Sequence, residues 1–231
     1  MNKSMNRAPT RIALVALLAV ALAGCATTQN KDPLEPLNRK IFGFNEAVDQ
    51  VLLKPVAQGY AKVTPEPVQT ALSNVISNIK GVWSAINLFL QGRVGEGAEA
   101  VLRVGVNTTL GLGGVLDVAT EMGIPRTRMD FGQTLGRWGV PSGPDLVLPL
   151  LVPSSVRDAT GTGIQFRLNE YTNFDDDHVQ NSLTALDVVD TRASLLSAEK
   201  LIQGDKYIFI RNAYLQNREF KVKDGEVEDD F

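Results

Sequence analysis

The chain has 231 residues, with 23 Lys or Arg against 26 Asp or Glu, for a formal net charge of −3. That length supports one sizeable domain, and the acidic balance argues against nucleic-acid binding. A single cysteine and a single histidine exclude an intrachain disulfide framework and leave little for metal or triad chemistry.

Lys3, Arg7 and Arg11 precede an apolar run from Ile12 to Ala23, with no acidic residue among them. This is a charged n-region and an h-region of signal-peptide length, too short to persist as a spanning helix. The run ends in Leu22-Ala23-Gly24-Cys25, which resembles the bacterial lipobox, where the thiol takes a diacylglyceryl group before cleavage. Residues 1–24 are therefore expected to be a removed signal peptide and Cys25 the lipid anchor; an ordinary signal peptide with a chance cysteine is the alternative. Ala26, where retention at the inner membrane would favour Asp, points to sorting to the outer membrane. Cleavage leaves 207 residues with 20 basic against 26 acidic side chains, a net charge of about −6.

Residues 25–31 read as a short polar tether. Pro33 and Pro36 introduce a helix over Leu37–Leu53, with apolar residues at 37, 41, 44, 48, 51 and 52, ended by Pro55. After Pro65 and Pro67, apolar residues at 68, 72, 75, 79, 82, 86 and 89 step by three and four, the mark of a long amphipathic helix. Its end, Val82 to Leu90, is apolar nearly all round; a water-soluble domain would bury it, whereas a membrane-seated one turns it toward lipid. Gly92 caps it, and a further helix is expected from Val94 to Leu110, with Gly95, Gly97, Ala98, Ala100 and Gly105 small enough for close helix packing.

Glycines and prolines crowd residues 111–163 and exclude long helices there. Leu146 to Val152 is nonetheless strongly apolar. Pro149 in its middle and the lack of an evident partner strand argue against a strand and for an apolar hairpin that dips into one leaflet. Backbone at that depth must be buried in protein or line a wet cavity. Thr191 to Ile202 is expected to be helical up to Gly204. Asp205 caps a last helix to Phe220, and residues 221–231 read as a disordered acidic tail.

Chemistry-bearing patterns are scarce. The only histidine, His178, sits in Asp175-Asp176-Asp177-His178, which reads as a solvated acidic turn, with weak metal binding as its alternative. Ser142 lacks the Gly-x-Ser-x-Gly spacing of an esterase elbow, and Gly111-Leu112-Gly113-Gly114 lacks the Lys-Ser/Thr of a phosphate loop. Neither catalytic residues nor a cofactor or metal site are expected.

The ordered motifs carry a family resemblance. Asp32-Pro33-Leu34-Glu35-Pro36-Leu37-Asn38-Arg39 with Phe42-Gly43-Phe44-Asn45 resembles the opening of the VacJ/MlaA lipoproteins. So do Phe89-Leu90-Gln91-Gly92, Arg103 through Asn107-Thr108-Thr109-Leu110-Gly111 to Asp117, Asp130 to Gly136 with Trp138-Gly139-Val140 and Gly143-Pro144, and Val156-Arg157-Asp158. Arg192-Ala193 and Tyr207 to Tyr214 fit as well. The likeness covers Asp32 to Phe220 and is weakest from Gly163 to Val189.

That resemblance implies an all-α fold: a single ring-like helical domain over residues 32–220, with an apolar Gly/Pro-rich hairpin and an amphipathic central channel. The ring is implied to sit in the periplasmic leaflet of the outer membrane without crossing it. Phospholipid that has strayed into the outer leaflet would pass through it to a soluble periplasmic carrier and on to an ATP-driven inner-membrane complex, maintaining lipid asymmetry. Trimeric porins are implied as partners, and nucleic acid is not. A two-tailed lipid exposed to water would cost about 20 kcal/mol, at ~0.8 kcal/mol per CH₂, so such a path needs one polar and one oily side. Candidates to line it are Asn38, Phe42, Phe44 and Asn45 near the entrance, Arg103 and Asn107 as polar contacts, and Gly139, Gly143 and Pro144 in the hairpin region; core packing, loop capping and turn geometry are the respective alternatives. A porin-binding adaptor that conducts no lipid is the rival function.

Overall fold

A computed structural model describes residues 32–151, 153–168 and 177–224. The expected signal peptide, Cys25 and the tether lie outside these residues, as does the chain from 225 onward.

Helix α1, Glu35–Val48, has Pro36 in its first turn, where a missing N–H costs nothing. It does not stop at Pro55 as the sequence predicts. Residues Asp49–Leu53 widen into a π turn, with the Lys54 N–H donating to the Asp49 carbonyl, and α2 continues over Lys54–Val63. The extra residue in that turn absorbs the clash that proline imposes on the preceding turn, so the helix bends on instead of breaking. Thr64 turns extended and Pro65 closes the run.

α3 spans Glu66–Leu90 and α4 Val94–Thr109, joined by a turn at Gly92. They pack tightly. A Cβ on Gly97 would lie 2.8 Å from the Phe89 ring, and one on Gly81 would lie 2.8 Å from Val104. Ala100 is buried in the same contact, whereas Gly95 and Gly105 face open space and take no part in it. A short α5, Val118–Glu121, and α6, Phe131–Arg137, follow, capped by the carboxylates of Asp117 and Asp130 respectively.

The apolar segment does form a hairpin, but it is held by strand pairing that the sequence argued against. β1, Asp145–Val147, runs antiparallel to β2, Pro153–Ser155, with Val147 opposite Pro153 and Asp145 opposite Ser155. α7 covers Val156–Leu168 and α8 Asp177–Ser194. Thr191–Ile202 is thus not one helix: it is the end of α8 followed by a 3₁₀ turn, Ala198–Leu201. α9, Lys206–Val222, is capped as expected by Asp205, which accepts from the Ile208 N–H at 3.2 Å. It runs beyond Phe220, and Asp224 then pairs with Arg93 at 2.7 Å and Arg137 at 2.8 Å, so the chain stays tied down into the segment expected to be disordered.

The all-α class stands, with one small sheet. Packing neighbours close a circuit: α1 meets the hairpin, the hairpin meets α9, α9 meets α6, α6 meets α3, α3 meets α8, α8 meets α2, and α2 returns to α1 through the π turn. Glu199 braces this circuit by accepting from Arg192 (2.9 Å), Lys206 (3.1 Å) and Lys54 (3.2 Å). The Arg192 hydrogen bond in particular holds its carboxyl down at about 2. No helix among the described residues is long and apolar enough to cross a membrane.

Candidate functional site

The burial pattern is inverted. Among the described residues, eight hydrophobic side chains are buried against twelve polar or charged ones, while thirty large hydrophobics are exposed. Water-soluble domains bury charge rarely and expose apolar surface in small patches. In α3 the ends of the periodic stripe face outward: Val68, Val82, Ile86 and Phe89 are all over 40% exposed, Leu72, Val75 and Ile79 between them are half-buried, and Ser84 and Asn87 are buried beside Ala85 and Leu88. On α4 the inward row is Gly97, Ala100, Arg103 and Asn107, with Val94, Val101 and Leu102 outside. The end of α3 is therefore turned outward, as a lipid-facing surface requires.

Three polar assemblies fill the interior. The first sits at the root of the hairpin. Asn38 and Asn45 are two helical turns apart, so they share one face of α1. Asn38 has no exposed surface; its amide donates to the Asp32 carboxylate and the Asp145 carbonyl, and accepts from the Val147 N–H, each at 3.0 Å. Asn45 does the same for the hairpin tip, donating to the carbonyls of Leu148 (2.9 Å) and Leu151 (3.0 Å) and accepting from the Leu150 N–H (2.7 Å). Asn38 thus pairs with β1 as a third strand would, and Asn45 holds the tip beyond it. Asp32 also accepts from the Tyr207 hydroxyl and from Arg211 at 2.9 Å.

Asp145 is the strained member of this group. It is 6% exposed, its Oδ2 has no hydrogen bond, and the Arg211 Nε lies 3.7 Å away. Burial, reinforced by the Asp32 charge and only partly offset by Arg211, pushes its carboxyl up to about 6. A raised folded-state value favours the protonated form, so this contribution is complete below about pH 4 and is lost as pH rises through about 6. Asp145→Asn, which mimics the neutral acid, is expected to gain up to about 2 kcal/mol over the native chain at pH 7.5 and little at pH 4.5. Urea unfolding at the two pH values reads this directly; an equal effect at both removes the titration of Asp145 as its cause.

The second assembly holds the loop after α4. Arg103 donates to both oxygens of Asp117 (2.5 and 2.6 Å) and to the Ile124 carbonyl (2.5 Å). Asn107, one turn on, donates to Asp117 and accepts from the Ala119 N–H at 2.9 Å. Burial pushes the Asp117 carboxyl up, but hydrogen bonds from Thr120, Asn107 and Arg103 outweigh it and hold it below the usual carboxylate range. The third joins α6, α7 and α9 around Asp158, which is 1% exposed and takes Arg157 (2.9 Å), Arg218 (2.9 Å) and the Tyr214 hydroxyl (2.8 Å). α6 and α7 touch through backbone there: a Cβ on Gly161 would lie 2.5 Å from the Gly132 nitrogen, so only glycine permits the crossing.

Of the residues singled out in the sequence, Asn38, Arg103 and Asn107 are enclosed and serve as clamps, which leaves them no surface for a lipid in this state. Phe42 packs edge-on against Tyr207, with ring centroids 5.5 Å apart. Phe44 is 54% exposed beside the hairpin clamp. Gly139 and Gly143 adopt positive φ, +89° and +70°, and Pro144 is buried with its carbonyl accepting from the Val156 N–H. His178 lies exposed in the first turn of α8, and Asp175 and Asp176 fall outside the described residues. The roles of Asp32, Asp158, Tyr207, Arg211 and Arg218 escaped the sequence reading. A signal was present, because Tyr207, Arg211, Tyr214 and Arg218 step by four, three and four and form one polar stripe on α9.

Comparison with known proteins agrees with the fold. The family model described as MlaA lipoprotein matches residues 30–221. The chain is 34% identical to the Haemophilus influenzae intermembrane phospholipid transport system lipoprotein MlaA, covering 94% of this chain and 93% of that one. With its Escherichia coli K12 counterpart it shares 33% identity, over 94% of this chain and 90% of the relative. A solved structure from work on the structural basis for maintenance of bacterial outer membrane lipid asymmetry superposes with a TM-score of 0.73 at 32% identity, covering 83% of this chain and 98% of that one. The chain belongs to the MlaA lipoprotein family.

Proposed function

We propose that this protein is a lipoprotein, anchored through Cys25 in the periplasmic leaflet of the outer membrane, that takes phospholipid from the outer leaflet and passes it to a periplasmic carrier, keeping the two leaflets asymmetric. It does so by moving lipid, without catalysis and without a cofactor, and in association with a porin trimer. The inverted burial carries this reading: an apolar exterior suits hydrocarbon, and a closed circuit of helices with a polar interior suits a headgroup that must not cross hydrocarbon bare. The relatives named as phospholipid transport lipoproteins support it. Phe44, Gly139 and Gly143, at exposed or half-exposed positions around the hairpin, are the contacts that remain open to a passing lipid, while Asn45 sets the hairpin's position.

The test is made in cells lacking the protein and complemented with Gly143→Val, whose positive φ penalises any β-branched residue by about 1–2 kcal/mol and so shifts the turn entering β1. Phospholipid is expected to accumulate in the outer leaflet while protein level and porin association persist. Normal asymmetry with a displaced hairpin, or loss of asymmetry only when porin binding is lost, would instead identify a porin adaptor. Labelled palmitate that still incorporates after Cys25→Ala would refute the anchor.

A further inference from the structure

One cavity with charged walls borders the second clamp, on the side away from Asp117, with Arg103 and Asn107 in its lining. Between α3, α4 and the extended segment after α5, its walls include Lys80, Arg103, Arg126 and Arg128 together with Asn74 and Asn78. Among the described residues, no carboxylate lines it. The acids that pair with these cations stand behind them: Asp117 is shared by Arg103 (2.5 Å) and Arg126 (3.0 Å), and Asp187 takes Lys80 (2.6 Å). Four cations against two carboxylates leave an excess of two positive charges at one small opening.

Arg128 is the source of part of that excess. It has no carboxylate within ion-pair distance among the described residues, and its charge reaches as far as α9: the half-buried Lys221 ammonium is pushed down by burial, then by Arg218 and Arg128. The wall carries one complementary feature. Asn78 donates through Nδ2 to the Thr108 hydroxyl at 2.9 Å, while its Oδ1 is buried with no donor. Surplus guanidinium beside an unfilled acceptor matches a ligand that carries an anion and a cation a few bonds apart. The free space now amounts to about 20 Å³, room for one water. A larger group enters as the side chains of Arg126 and Arg128 move, both of which are exposed.

We propose that this cavity is a headgroup station: the phosphodiester of a zwitterionic phospholipid sits on Arg126 and Arg128, with its ammonium on the Asn78 carbonyl oxygen. The proposal rests on the lipid-moving reading above and gives that reading a binding site with a defined ligand chemistry. Guanidinium suits the phosphodiester through paired, charge-assisted N–H donors. Arg103 is excluded from the role because both of its terminal nitrogens already donate, to Asp117, Thr120 and Ile124, whereas among the described residues Arg126 donates through Nη2 alone, to Asp117 and Asn74.

The experiment uses the full-length lipoprotein in detergent, with short-chain phosphatidylethanolamine and inorganic phosphate as separate titrants in calorimetry. The short-chain lipid is expected to bind more tightly than phosphate, and Arg126→Gln/Arg128→Gln to weaken it by at least about tenfold, given two lost charge-assisted contacts. Arg128→Gln alone, at an exposed residue with no ion pair among the described residues, guards against misfolding of the double variant and is expected to weaken binding severalfold. Equal binding by inorganic phosphate would overturn the lipid source, and unchanged affinity in both variants would overturn the site. Outer-leaflet phospholipid in cells separates the two levels: normal asymmetry with the double variant but failure with Gly143→Val sinks this station and leaves the transport reading standing.

Discussion

Replacing Asn38 with alanine is expected to destabilise the fold by about 3–5 kcal/mol, a large share of the stability of a domain this size. The side chain has no exposed surface, and its loss strands three buried partners at once: the Val147 N–H, the Asp145 carbonyl and one oxygen of Asp32. Each orphaned buried group costs about 1–3 kcal/mol, and water cannot enter without opening the root of the hairpin. Asn38→Asp keeps the shape but replaces two donors with a third carboxylate beside Asp32 and Asp145, and should be no better at neutral pH. Asn45→Ala removes a similar set of bonds at the partly exposed tip, where water replaces them, and should cost about 1 kcal/mol while loosening residues 148–151. Denaturant unfolding ranks the three; hydrogen exchange at Val147 and Leu150 separates root from tip. Similar small losses for Asn38→Ala and Asn45→Ala would contradict the clamp at the root.

Asp158→Ala is expected to be as damaging, about 3–5 kcal/mol, because it leaves Arg157 and Arg218 as buried cations with less than their full complement of acceptors. Burial pushes this carboxyl up, yet the Arg157 and Arg218 contacts prevail and its pKa falls below the ordinary value. A depressed folded-state value gives stability that is present at neutral pH and is lost as pH falls below the usual carboxylate range. The native chain should therefore weaken in acid more steeply than Asp158→Asn, measured by urea unfolding between pH 7 and pH 3. A second consequence is structural: α6, α7 and α9 meet at this carboxylate, so loss of α9 protection in hydrogen exchange should accompany the fall in stability. If Asp158→Ala unfolds at the native denaturant midpoint, the buried network contributes nothing and the polar interior is incidental.

Periodicity made α3 and α4 legible almost to the residue, because three- and four-residue steps over long windows admit one structure. Which face turns inward was not legible from the stripe alone. An apolar stripe divides a helix into two faces but does not name the solvent that each one meets, and here the solvent-side rule is reversed. The end of α3, apolar nearly all round, was the one local hint. Pro55 misled because a breaker rule is local, and a π turn of five residues absorbs it. β2 was invisible because Pro153-Ser154-Ser155 has no alternation and pairs over only three residues. Asn38, Asn45, Arg103 and Asn107 stood in the motifs that carry the family resemblance, and all four serve as clamps. Their partners lie up to 109 residues away in sequence, so a clamp could not be told from a lipid contact. Asp32 and Asp158 were visible in motifs without a role for the same reason: their arginines come from α9, at the other end of the chain.

The central claim is that lipid headgroups meet the polar inside of this molecule while hydrocarbon bathes its apolar outside. The most direct measurement reconstitutes the full-length lipoprotein in bilayer discs with two photoreactive phospholipids, one labelled on the head and one on the tail, and maps the adducts by mass. Head adducts are expected on the 124–129 stretch, where Arg126 and Arg128 are exposed, and tail adducts on Val82, Ile86, Val101 and Leu102. Head adducts confined to the outer rim, with none on that stretch, would contradict it.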